Sequence, residues 1–123
     1  MVDLLGFVDA KLNEIGVPYE FGEWTKTVSY PYFVGTYTAT EYRFEDGCTV
    51  GNITLDGWSR GSGGKLALAE MDEKIKAAFE DLTEVQEESL FFIRYGGCLT
   101  IPTGEEDLHR ITITLYTNEW KGR

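Results

Sequence analysis

The sequence predicts a small α+β domain spanning residues 1–123, with a mostly antiparallel sheet of about four strands. Two helices are expected on one face of that sheet, in the order α-ββ-α-ββ. Three observations predict this. Two segments carry apolar residues at helical spacing. Each is followed by paired runs rich in Thr, Tyr, Phe, Val and Ile, the residues that suit strands. Gly- and Asp-rich turn signals separate the members of each pair.

The first helix is expected over Asp3 to Ile15. Asp3 suits the N-cap, and Leu5, Val8, Leu12 and Ile15 form one stripe. Gly16 is able to take the left-handed conformation that ends a helix, and Pro18 prevents its continuation. Tyr19 to Thr25 is short, aromatic and extended. Tyr30 to Phe44 reads as a strand, with Pro31 at its start or on an edge because proline cannot donate to a ladder. Glu45-Asp46-Gly47 is a turn, and Cys48 to Trp58 returns as the partner strand.

Ser59 to Gly64 has linker composition. A second helix is expected over Lys65 to Leu82, on a stripe of Leu68, Met71, Ile75, Ala78, Phe79 and Leu82. Its outer face is acidic, through Glu70, Asp72, Glu73, Glu80 and Asp81, and reads as a solvated face. Ser89 to Tyr95 is a strand, Gly96-Gly97 a bulge or bend, and Cys98 to Ile101 the continuation. Pro102 to Asp107 connects to a last strand over Leu108 to Thr117. There Ile111, Ile113 and Leu115 alternate with Arg110, Thr112, Thr114 and Tyr116. Trp120 and a short basic tail, Lys121-Gly122-Arg123, follow.

Composition bounds the function. A chain of 123 residues buries roughly two-thirds of its unfolded surface and folds without a metal or disulfide. Hydrophobic residues at 42% and charged residues at 26% exclude a disordered chain. The formal net charge of −10 disfavours nucleic-acid binding, which needs Lys and Arg to displace counterions from phosphates. Its plain reading is solubility. Cys48 and Cys98 are too few for a secreted disulfide framework and read as core thiols. The N-terminal residues lack a signal-peptide pattern, and no run approaches the roughly 20 apolar residues that span a bilayer. A reducing cytoplasm is the expected setting.

Tests for chemistry give no catalytic, cofactor-binding or metal-binding residues. Gly63-Gly64-Lys65 invites comparison with a phosphate-binding loop, but Ser59 and Leu66 occupy two of its defining positions. The acidic turns lack the alternating oxygen ligands of a calcium loop. His109, the only histidine, reads as a turn-edge residue; pairing with Cys48 or Cys98 is open at this stage. The aromatics are more informative, because Trp, Tyr and Arg dominate binding hot spots. Tyr30, Tyr32, Phe33, Trp58, Arg60 and Trp120 are the candidate interface residues, weighed against roles in the core.

Several segments together resemble a family of small prophage proteins of Gram-positive bacteria. They are Tyr30-Pro31-Tyr32-Phe33-Val34-Gly35-Thr36-Tyr37, Glu45-Asp46-Gly47 and Leu55-Asp56-Gly57-Trp58-Ser59-Arg60-Gly61-Ser62. Ile101-Pro102-Thr103-Gly104, Leu108-His109-Arg110-Ile111 and Glu119-Trp120-Lys121 follow in the same order. The family resembles the tail-terminator, or tail-completion, group of long-tailed phages. The resemblance implies a homo-oligomeric ring, typically six-fold, on the tail tube, with the tail tube protein and the head connector as partners. It implies assembly in the host bacterial cytoplasm and a final place at the virion head–tail junction. It carries over no catalytic residue and no cofactor. A head–tail connector or stopper is the alternative within the same class. An acidic monomeric inhibitor or accessory protein is the alternative outside it, and an enzyme ranks last.

Overall fold

The structure, a computed structural model, describes residues 2–43 and 47–121. Its elements are α1 (Val2–Glu14), β1 (Tyr19–Phe21), β2 (Tyr32–Arg43), β3 (Cys48–Arg60), α2 (Gly64–Phe79), β4 (Asp81–Val85), β5 (Ser89–Ile101) and β6 (Leu108–Lys121). The six strands form one mixed sheet in the order β1-β2-β3-β6-β5-β4. β1 runs parallel to β2, and every other pairing is antiparallel.

The expectation of about four antiparallel strands is overturned, although the class is α+β. Two short edge strands make the difference. Tyr19–Phe21 pairs with Phe33–Gly35 as a parallel edge. Asp81–Val85, expected to continue the helix and the charged segment after it, is strand β4. α2 stops at Phe79, so Leu82 leaves the helical stripe and pairs with Ile93. β3 runs on through Ser59 and Arg60, which are strand rather than linker. β6 runs on through Trp120 to Lys121. α1 starts at Val2, so Asp3 lies in its first turn and not at the N-cap; its carboxylate accepts from Ser89 Oγ at 2.9 Å. Of the expected turn, Gly47 is described, at φ 82°, while Glu45 and Asp46 lie outside the described residues, as do Phe44, Gly122 and Arg123.

One core lies between the helices and a single face of the sheet. α1 contributes Leu4, Val8 and Leu12, and α2 contributes Leu68, Ile75 and Phe79. These spacings place each set on one helical face. The sheet answers with Phe33, Ile53, Leu55, Phe91, Ile93, Ile111, Ile113 and Leu115. Each strand's contributors sit two residues apart, as a pleat requires. Gly57, the register partner of Phe33, lies directly beneath the Phe33 ring, where a Cβ would clash. The absent side chain is what lets the ring lie flat on the sheet.

The two halves of the chain are related by a local two-fold axis. β3 and β6 pair about Thr54 and Thr114, which face each other. The relation extends to the neighbouring strands at a constant offset of 60 residues. Tyr32–Trp58 corresponds to Phe92–Asn118, and Phe33–Gly57 corresponds to Ile93–Thr117. It breaks at the register shift between Tyr95 and Gly97, where β5 gains a residue. It also breaks at the edges, since β1 is parallel and β4 antiparallel to its neighbour.

Candidate functional site

No described helix covers the second face of the sheet, because the core gathers α1 and α2 on the first. The alternation that points Ile53, Leu55, Ile113 and Leu115 inward points Thr54, Asp56, Thr112 and Thr114 outward. The middle of this open face is therefore threonine-rich and solvated. Its end at the C-terminus of β3 is different. Register places Tyr32 beside Trp58 and Trp58 beside Arg110. Tyr30 precedes β2 across an X-Pro bond in the cis form.

These side chains form one cluster. The Trp24 and Tyr32 rings stand 4.9 Å apart between centroids, and Tyr30 and Tyr32 stand 5.7 Å apart. The Arg110 guanidinium lies 4.8 Å over Trp58 and donates to Asp56 Oδ1 at 2.9 Å. Thr112 Oγ1 donates to the same oxygen at 2.7 Å. Arg60 lies 5.8 Å from the Tyr30 ring and donates to Asp107 at 3.0 Å and Glu105 at 3.2 Å. Tyr30, Asp107 and Glu105 all strengthen the hold of Arg60 on its proton, the hydrogen bond with Tyr30 most. Burial, and to a lesser extent Tyr30, pushes the Tyr32 hydroxyl up. Two N–H groups in the cluster, Trp24 Nε1 and Arg110 Nε, are buried without an acceptor among the described residues.

The cluster holds no nucleophile beside a base. It offers planar rings and two guanidinium groups, a combination suited to adhesion by stacking and cation–π contact. Arg60, at the end of β3, is paired with two carboxylates, in contrast to the linker that the composition of residues 59–64 predicts.

The structure sorts the six candidate interface residues. Tyr30, Tyr32, Trp58 and Arg60 come together at one end of the open face. Phe33 is a correction: it points inward, is fully buried and belongs to the core. Trp120 lies at the opposite end, opposite Cys48, with its ring edge-on to Phe92 at 5.1 Å. It is ten residues along β6 from Arg110, about 33 Å at the usual rise of a strand. Sequence reasoning missed Trp24 as a member, because its contact with Tyr32 is set by the fold of the 22–31 segment. Arg110 was readable as outward-facing from its alternation with Ile111, but its stacking on Trp58 depends on register.

His109 is half-buried, and its Nε2 lies 3.0 Å from the Gly61 carbonyl oxygen. It faces Ser59 across the β3–β6 pair. Cys48 is buried at the far end of the sheet, and Cys98 pairs with Ile113, four residues along β6 from His109. Register thus separates both thiols from the imidazole. Cys98 is exposed rather than a core thiol. Among the described residues, no group of three or more His, Cys, Asp or Glu is placed to hold a metal ion, and no helix is long and apolar enough to cross a membrane. Neither a protein-family model nor a curated protein matches the chain.

Proposed function

We propose that this protein is a structural assembly subunit of a phage or prophage particle, acting at the head–tail junction as a tail terminator that forms a ring on the tail tube. The observation that supports an assembly role best is the uncovered sheet face, with its aromatic and guanidinium cluster at one end. Rigid rings and arginines of this kind are enriched among the residues that carry binding energy. The phage setting rests on the order-preserving segments described above, which include Tyr32, Trp58 and Arg60 of that cluster. On this reading the partners are further copies of the chain, the tail tube protein and the head connector. Synthesis takes place in the bacterial cytoplasm and the mature location is the virion.

The test is disruption of the gene in an inducible prophage, with negative-stain electron microscopy of the lysate. Full heads beside detached, abnormally long tail tubes are the expected result. Normal-length tails unattached to heads would move the protein to the connector. Intact infectious particles would overturn the structural reading and favour an acidic inhibitor. Complementation then tests the cluster. Tyr30→Ala removes a ring that is 40% exposed and stacks on Tyr32 and Arg60. The variant is expected to fold and to fail in restoring normal tails. Arg60→Glu is expected to fail as well, but it also sets a third carboxylate beside Glu105 and Asp107. Tyr30→Ala is therefore the cleaner variant.

A further inference from the structure

A groove of about 540 Å³ lies on the helix side of the sheet, behind the aromatic cluster. It falls within the roughly 300–1,000 Å³ range of clefts that hold ligands. One wall is the N-terminal half of α2, with Lys65, Leu68, Ala69 and Asp72. The other is the distal part of the β5–β6 hairpin, from Cys98 to Ile111. Thr100 on the hairpin is exposed, while Leu68 on the α2 wall and Ile111 on the β6 wall are buried.

Asp72 is the unusual member. It is half-buried, and its Oδ1 accepts from Tyr95 Oη at 2.6 Å. Its other partner is the Cys98 thiol, which burial first and Asp72 second push up to about 11. Both partners are neutral donors, and among the described residues no cation pairs with Asp72. Of the other charges in the lining, Arg110 is engaged by Asp56 on the opposite face, and Glu105 is paired with Arg60. Glu106 adds an exposed carboxylate at the rim and Lys65 an exposed ammonium on the α2 wall, while Lys76, outside the lining, stands 5.9 Å over the Tyr95 ring. A carboxylate held in a partly apolar wall by neutral donors favours a cation brought in by a binding partner, because partial desolvation strengthens the resulting pair.

We propose that this groove docks a segment of a partner protein that presents an apolar side chain next to an arginine or lysine. The apolar side chain lies on Leu68, Pro102, Leu108 and Ile111, and the cation pairs with Asp72. The proposal stands apart from the head–tail reading, since it concerns the opposite side of the sheet and any partner with this chemistry.

The test is a titration of the isotopically labelled full chain, followed through its backbone amide resonances. The probes are acetyl-Leu-Arg-Leu-amide, acetyl-Leu-Glu-Leu-amide and arginine amide. The expected result is saturable shifts at Leu68, Ala69, Asp72 and Leu108 with the arginine tripeptide, and binding of the glutamate tripeptide at least about tenfold weaker. Ala69→Arg, at an exposed position on the groove wall, fills the groove and supplies a cation; it is expected to abolish the shifts while the spectrum stays dispersed. Asp72→Asn is expected to weaken the arginine tripeptide and to erase its preference over the glutamate one. Equal binding of the two tripeptides, unaltered binding to Ala69→Arg, or no saturable shift up to about 10 mM would overturn the proposal. Arginine amide binding as tightly as the tripeptide would overturn it too, by assigning the site to a small cation.

Discussion

At the residue scale, Asp72 governs two neighbours. It accepts from Tyr95, and it joins burial in pushing both the Tyr95 hydroxyl and the Cys98 thiol up. A thiol pushed up to about 11 holds far less thiolate at pH 8 than one near its ordinary value of 9. Cys98 is therefore expected to react with iodoacetamide at pH 8 about tenfold more slowly than a free cysteine, despite its exposure, because the greater nucleophilicity of a more basic thiolate offsets part of the loss of thiolate. Asp72→Asn should speed the reaction, and an unchanged rate would remove Asp72 as a cause. Stability follows the same direction. The folded thiol keeps its proton where the unfolded thiol has lost it, so the contribution is full below pH 9 and is lost as pH rises from 9 to about 11. Tyr19, pushed up to about 12 by burial and by Asp9, extends the loss from pH 10 upward. Urea melts across this range are expected to show stability falling with pH, and less steeply at its lower end for Cys98→Ser.

At the element scale, the docking of α2 on β6 depends on Gly64. A Cβ there would stand 2.5 Å from His109 Cδ2. Alanine is ordinarily better than glycine in a helix by up to about 1 kcal/mol. Here the His109 ring would have to swing away from the Gly61 carbonyl, losing a hydrogen bond and straining the contact, at about 1–3 kcal/mol. Gly64→Ala is expected to be net destabilising in urea melts. Adding it to His109→Ala should turn its effect neutral or favourable, and an equal cost in both backgrounds would refute the contact.

The same scale shows what the sequence could reveal. The helical stripes of α1 and α2 and the long strands β2, β3, β5 and β6 are written in local periodicity. β1 and β4 are not. Leu82 follows Phe79 by three residues, a spacing that continues a helix as well as it starts a strand. The parallel pairing of Tyr19–Phe21 is made with residues beyond the 22–31 segment, out of reach of any local window. The site was legible in part for a related reason. Around Pro31 aromatic residues occupy both faces of β2, so composition could not say that Tyr32 faces out and Phe33 in. Pairings across elements, such as Arg110 on Trp58 or Tyr95 on Asp72, exist only once register is fixed.

At the scale of the whole molecule, the local two-fold axis through Thr54 and Thr114 divides the chain into two units of one helix and three strands. The seam between them is a ladder running unbroken from Cys48–Trp120 to Arg60–Leu108. The covalent link across it is the short exposed stretch at Ser62 and Gly63, between β3 and α2. Fragments 1–62 and 63–123, made separately and mixed, are expected to find each other through β3 and β6 and regain the near-ultraviolet circular dichroism of the intact protein. Failure to reassociate at high micromolar concentration would show that the linker holds the halves together. Success would make the molecule a split reporter, whose two pieces become folded only when brought into each other's company.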